Sequence, residues 1–431
     1  MLKKFNKITL ALILILIFSL FSRIYRLDYP KNYVFDEVYN AFTTIEFTKG
    51  SKEAYEWKST SPIAGTAYGW THPPLAKLID AMGILVFGVN SFGWRVVNVG
   101  LGVGIIFLIY LIARSLFPDK KTIALVASFI ASLDGLLLVQ SRINMNDIVI
   151  VFFILVSFLA FIKYKTGPPE EKNVRLLILS ICLGLTIATK WTGAYLLIAI
   201  GFWIGLEKIN HDIKEFKKLS LFLVIKDFII LSSIFIFIPF IIYTFTYTQY
   251  FLLGGSWNNF LELQKQMWWY NTNLKATHDY GSPWWSWPFN LYPVWYFVDY
   301  QKDKIANIFA SGNPLVFWTG VLAIILTIFD FLKTRSRNLF IILLGYFIFW
   351  LPWALSPRVM FLYHYSPSIP FLVLALGYQV DKIKDKSFVM ALLILMFLSF
   401  LLFFPFFTGI PLPKNLVQLF FLTNLTKNPF I

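Results

Sequence analysis

The chain has 431 residues, of which 58% are hydrophobic and only 14% charged. Soluble domains run nearer half apolar and a quarter charged, so composition excludes an ordinary soluble enzyme and points to a chain that crosses a membrane many times. The net charge of +15 does not signal nucleic acid, because the lysines and arginines lie between apolar runs rather than in one patch, and the single cysteine, Cys182, excludes an intramolecular disulfide and a cysteine-built metal cluster.

Lys3, Lys4 and Lys7 precede the apolar run Ile8–Tyr25. That run has no small-residue cleavage site and many more follow, so it reads as an anchor with its N-terminus inside. Leu27–Phe92 is too polar to be lipid-embedded throughout. It holds the adjacent acids Asp36 and Glu37, and then Thr71-His-Pro-Pro-Leu-Ala-Lys77. Thr71 suits a helix cap and the prolines a first turn, which predicts an amphipathic helix over Pro73–Val89 lying on or dipping into the membrane.

Further spans are expected at Gly93–Ala113, Thr122–Gln140, Ile148–Ile162, Leu176–Thr189, Thr192–Leu206, Leu221–Thr244, Pro314–Leu332, Asn338–Leu355, Ser368–Val380 and Ser387–Phe407. With the first, that makes about eleven. Every second connection is basic, with Arg114 to Lys121, Lys163 to Arg175, Lys208 to Lys218, Lys333 to Arg337 and Lys382 to Lys386. The positive-inside rule puts these inside, and an odd span count puts the C-terminus, with Pro411–Pro413, outside. The predicted parts are residues 1–246, including the outer loop 27–92, then a Trp-rich outer loop 247–313, then a second membrane module 314–431. No internal repeat is present.

Nearly every polar residue with chemical potential then falls on one face. Two adjacent acids in an arbitrary loop are usually just solvated; near an apolar boundary they are costly unless a cation or a reaction uses them. Arg95, Arg142, Lys190 and Arg358, with His72, Asp147 and His364, are each explicable alone as interfacial or snorkelling residues. Together they are cations beside a few acids at one membrane surface, a set suited to a lipid-linked phosphate. Trp284, Trp285 and Trp287, in Ser282-Pro-Trp-Trp-Ser-Trp-Pro288, read equally as an interfacial belt or as a stacking platform for sugar or peptide. There is no phosphate-binding Gly-rich loop and no HExxH, and the four histidines are far apart, so no metal site is expected.

Asp36-Glu37, His72-Pro-Pro-Leu75, Arg95, the Arg142 to Asp147 turn, Lys190-Trp191, Ser282 to Pro288, Gly312-Asn-Pro314 and Phe361-Leu-Tyr-His-Tyr365, in that order, resemble the protein O-mannosyltransferase family. The likeness runs from the first span to the tenth. It implies an all-α, polytopic GT-C membrane fold and a polyprenyl-phosphate mannose donor. It also implies transfer to Ser or Thr hydroxyls of exported polypeptides, with a β-linked donor giving an α-linked product. No cofactor is implied as required, with a divalent cation as the open alternative. Asp36 matches the family's catalytic acid, Glu37 its neighbour, and Arg95 the arginine tied to donor binding or structure. The chain departs from eukaryotic members where they insert a β-trefoil module, since only Tyr247–Asn313 stands there. That suits a prokaryotic member in the plasma membrane. The rival readings are a GT-C transferase with a lipid acceptor, a transporter of lipid-linked sugars, and a non-catalytic scaffold. The Trp-rich loop and the Phe361 to Tyr365 motif speak against the first. The single-face charges and missing repeat speak against the second, and the acidic pair against the third.

Overall fold

The computed structural model describes residues 6–216 and 221–421. Lys3, Lys4, Lys217 and Lys218, and the last ten residues of the expected outer C-terminus, lie outside the described residues. The apolar runs form helices because a backbone in lipid must satisfy its own hydrogen bonds. The first half contains α1 (Lys7–Ile24), α2 (Asn40–Thr48), α3 (Leu75–Phe87), α4 (Ser91–Leu116), α5 (Lys121–Ser132), α6 (Gly135–Gln140), α7 (Asn146–Thr166), α8 (Lys172–Thr189) and α9 (Gly193–Phe216). Then come α10 (Leu221–Ser232), α11 (Ile238–Phe245), α12 (Thr248–Leu252) and α13 (Trp257–Asn273). After a hairpin the chain continues through α14 (Pro314–Thr334), α15 (Arg337–Trp350), α16 (Ile369–Lys382), α17 (Lys386–Thr408) and α18 (Lys414–Phe421).

Eight helical segments among the described residues are long and apolar enough to cross a membrane. The eleven spans expected from sequence exceed that number by three. Thr122–Gln140 is divided at Leu133–Asp134, where Asp134 turns to cap α6 by accepting from Leu137 N at 2.7 Å. Ser368–Val380 becomes α16, of 14 residues, entered through the 3-10 turn Leu362–Ser368. The third, Thr192–Leu206, is the first part of α9, which begins at Gly193. The expected amphipathic helix is α3, with Pro74 at its N-cap.

The chain is not wholly α. Strand β1 (Val294–Tyr300) pairs antiparallel with β2 (Lys304–Ala310), and β2 with the short β3 (Leu412–Pro413). The register slips between Trp295, opposite Phe309, and Phe297, opposite Ile308, so Tyr296 has no partner across the ladder. Such a bulge re-aims a side chain.

Two features seat the loop that follows α1. Helices α3 and α4 meet tightly at Gly83 and Gly93: a Cβ on Gly83 would lie 2.3 Å from the Gly93 carbonyl oxygen, and one on Gly93 2.1 Å from that of Gly88. Asn90 starts α4 by accepting from Gly93 N at 2.9 Å. One apolar core then runs through both halves of the chain, from Ile105 and Ile154 to Leu372 and Phe400.

Candidate active site

Asp36 and Glu37 sit on a 3-10 turn, Phe35–Val38. Phe35 enters it at φ 51°, a left-handed conformation that costs a bulky residue about 1–3 kcal/mol. Face-to-face stacking with the bulged Tyr296, centroids 4.2 Å apart, offsets that strain. The turn sends its two acids to different places.

Glu37 is fully buried. Its Oε2 accepts from Val34 N at 2.9 Å and its Oε1 from Asn144 N at 3.0 Å. Arg95 closes on it with two bonds, Nε to Oε1 at 2.8 Å and Nη2 to Oε2 at 2.6 Å. The other Arg95 donors reach the carbonyls of Leu27, Pro30 and Asn32. A guanidinium has five N–H groups, and all five are committed. Arg95 therefore has none left for a phosphate, and Glu37 has no lone pair facing a substrate; both hold the loop. Arg142 behaves likewise. It is buried and donates to the carbonyls of Ser22, Arg23, Tyr25 and Arg26, in the last turn of α1 and just beyond it. Of the two roles that the sequence allowed Arg95, donor binding or structure, these contacts favour structure, and they place Arg142 and Glu37 in the same bracing network.

Asp36 is half-buried, and among the described residues nothing donates a hydrogen bond to its carboxylate. Its charge is felt by Lys190, Arg358 and Asp147. Enclosure pushes its pKa up to about 7, and Asp147 adds to the rise, while Lys190 and Arg358 pull it back. Lys190 donates to Asp147 Oδ1 at 2.9 Å in a buried pair. Asp147 lies in the first turn of α7 and Lys190 at the C-cap of α8, so each helix dipole favours its charge.

Arg358 is half-buried and makes no ion pair among the described residues. Nη1 donates to Asn271 Oδ1 at 2.5 Å, the guanidinium lies 5.8 Å from the Tyr270 ring centroid, and the buried Nε has no partner. The two histidines are not cations here. Burial, then Lys190, Lys77 and Arg358, drive His72 well below its usual pKa. Burial, then Lys190, Arg358 and His72, do the same to His364. His364 Nδ1 accepts from Phe361 N at 3.0 Å, which leaves the proton on Nε2, and its ring stacks on Trp353 at 4.2 Å.

The tryptophan platform divides. Trp287 is fully buried, donates to Ser282 Oγ at 2.9 Å and packs on Trp353 and His364, so it is core. Trp284 packs on Trp350, whose Nε1 donates to the Trp284 carbonyl, and only Trp285 is exposed. Sequence reasoning missed Tyr296 and Tyr363, whose rings border Phe35 and which feel the charges of Asp36 and Asp147. It also missed Asn271 and the buried Lys77. The run Val294–Tyr300, rich in aromatic and β-branched residues, was the available signal for Tyr296. Among the described residues, no group of three His, Cys, Asp or Glu side chains is placed to hold a metal ion.

The dolichyl-phosphate-mannose–protein mannosyltransferase model matches residues 13–253, more than half of the chain. The chain belongs to that family. A second model, the C-terminal four-transmembrane region of protein O-mannosyltransferases, matches residues 256–424. The polyprenol-phosphate-mannose–protein mannosyltransferase of Corynebacterium glutamicum is 25% identical over 435 residues, covering 83% of each chain. Its Mycobacterium tuberculosis counterpart is 25% identical over 368 residues, covering 72% of this chain and 70% of its own. The fold is that of the Saccharomyces cerevisiae protein O-mannosyltransferase Pmt1–Pmt2 complex bound to the sugar donor (TM-score 0.75, 16% identity, covering 96% of this chain and 92% of that one). ArnT of Cupriavidus metallidurans, bound to undecaprenyl phosphate, is similar at TM-score 0.58 and 16% identity, covering 90% of this chain and 62% of its own. This multi-pass protein mannosyltransferase family member thus has the GT-C fold.

Proposed function

We propose that this chain transfers mannose from polyprenyl-phosphate mannose to Ser or Thr hydroxyls of exported polypeptides, at the outer face of the plasma membrane. The observation that carries the reading is Asp36. It is a carboxylate to which no described group donates, with a raised pKa, enclosed by a charged cluster, in a chain that the family's two models match over residues 13–253 and 256–424.

The acceptor hydroxyl oxygen attacks the anomeric carbon as the carbon–oxygen bond to phosphate breaks. Asp36 takes the hydroxyl proton, and polyprenyl phosphate leaves with the electron pair. A single displacement inverts the sugar carbon and forms no sugar–enzyme bond. Arg358 stabilises the negative charge that builds on the phosphate, while Lys190, tied to Asp147, acts on the field around Asp36. His72 and His364, being neutral, serve as hydrogen-bond groups rather than charges. Trp285 is the one exposed tryptophan of its motif left to stack on sugar or peptide. The proton and charge balance closes with no added cofactor. Alternating loop charge supports an inner N-terminus and an outer active site.

The test is purified protein with labelled polyprenyl-phosphate mannose and a Ser/Thr-rich peptide, the product read by mass spectrometry. A peptide gaining one hexose, α-linked, is expected. Mannose delivered only to a lipid acceptor would overturn the protein-acceptor reading.

A further inference from the structure

We infer that Asn271 is a positioning residue for the transfer, holding Arg358 towards the donor phosphate without cancelling its charge. The inference rests on the phosphate role proposed above for Arg358.

Asn271 stands in the last turn of α13 and binds in two directions. Oδ1 accepts from Arg358 Nη1 at 2.5 Å; Nδ2 donates to the Thr71 carbonyl at 3.2 Å and to the Met267 carbonyl at 2.9 Å. One amide therefore fixes Arg358 relative to the turn carrying His72. Tyr270, the preceding residue, lies beside the same guanidinium and meets Trp70 edge-on at 5.5 Å.

The amide is the informative part. Of the four cations that the sequence singled out on this face, Arg95 is neutralised by Glu37 and Lys190 by Asp147, and Arg142 is spent on backbone carbonyls. Of these four, Arg358 is the one with no carboxylate partner whose guanidinium keeps a buried nitrogen, Nε, unpartnered among the described residues. A carboxylate at position 271 would bind the guanidinium more strongly but would hold the charge for itself. An amide fixes one nitrogen, keeps the full positive charge, and leaves the rest of the planar fork for a phosphate. The uncancelled charge reaches Asp36, where it opposes the rise in pKa, so one orientation serves both leaving group and base.

The test uses the full-length protein in detergent. Donor affinity is measured by equilibrium binding of labelled polyprenyl-phosphate mannose, and acceptor KM and kcat with a Ser/Thr peptide. Asn271→Asp is nearly isosteric; it should melt near wild type yet bind donor about tenfold or more weakly, with acceptor KM within about twofold. Asn271→Ala, which adds no charge and covers the case in which the aspartate does not fold, should weaken donor binding by about threefold or more. In an Arg358→Ala background, Asn271→Asp should add less than about twofold, because the group it acts through is gone. Undiminished loss in that background would place the action of Asn271 on Thr71 and overturn the inference. Wild-type donor affinity in Asn271→Asp with Arg358→Ala impaired would overturn it while sparing the role of Arg358. Unchanged affinity in Arg358→Ala would overturn the phosphate role itself.

Discussion

Glu37 is spent on Arg95, Val34 and Asn144, whereas no described group donates to its neighbour Asp36. Asp36→Asn is expected to reduce transfer by about 10²–10⁴-fold while leaving donor binding and folding intact. A raised carboxylate pKa fixes the sign of the pH dependence. The base must be unprotonated, so transfer falls as pH drops through about 7, and the acidic limb of the kcat/KM profile should lie there rather than near the ordinary 3.8. Linkage runs the other way for stability: the folded chain holds this proton more tightly than the unfolded one, so the stability it lends at low pH is lost as pH rises through about 7. Asp36→Asn should accordingly melt no lower than wild type at pH 8. Near-normal turnover in that variant would remove Asp36 from the mechanism. Arg95 gives the contrast. Arg95→Ala strands buried Glu37, at a cost of about 3–5 kcal/mol, so the melting temperature should fall, and protein that remains folded should still bind donor. Lost donor affinity at an unchanged melting temperature would return Arg95 to the phosphate. The sequence placed Asp36, Glu37 and Arg95 in one neighbourhood, but assigning them depends on the carbonyls of Leu27, Pro30 and Asn32, which every sequence has and no sequence points.

At the scale of elements, the apolar helices were legible because length and lack of charge suffice to mark them. The interruptions were not. Leu133–Asp134 breaks an apolar run through one cap, and Ser233–Phe237 takes a π-helical turn inside another. The hairpin was hidden for a different reason: its aromatic and β-branched residues resemble an interfacial belt, and β1 carries no polar–apolar alternation to set it apart. Yet it delivers Tyr296 to Phe35. Tyr296→Phe keeps the stack and loses only the bond that Gln140 Nε2 donates to the hydroxyl at 3.1 Å, so transfer should fall by less than about tenfold. Tyr296→Ala removes the ring that holds the left-handed Phe35 and should cost more than about tenfold in kcat. Equal effects from the two variants would mean that the hydroxyl matters and the stack does not. Gly83→Ala tests the seat of the loop from the other side. The added methyl meets the Gly93 carbonyl, so α3 and α4 must part and the variant should melt below wild type.

Across the whole molecule the charges segregate to two ends. One end holds the Asp36 cluster. At the other, Lys165 and Arg337 both pair with Glu207, tying α7, α9 and α15; Lys382 pairs with Asp330 and Lys120 with Asp381, tying α14 and α5 to α16. Exposed pairs of this kind add about 0–1 kcal/mol each, so stability does not account for gathering them. The proposed orientation, with basic loops retained on the inner side of a membrane, would account for it. The prediction is that Thr60, exposed in the loop before α3, faces outward and Thr334, exposed at the end of α14, faces inward. Cys182 is buried in α8, so a Cys182→Ser background is expected to fold and to give no label of its own. In intact cells a membrane-impermeant maleimide should label Thr60→Cys directly, and Thr334→Cys only after permeabilisation. Reversed labelling would invert the orientation and place the Asp36 cluster on the cytoplasmic side. Labelling of both from outside would mean that the basic end does not mark the inner face, and would remove the charge pattern as support for an outer active site.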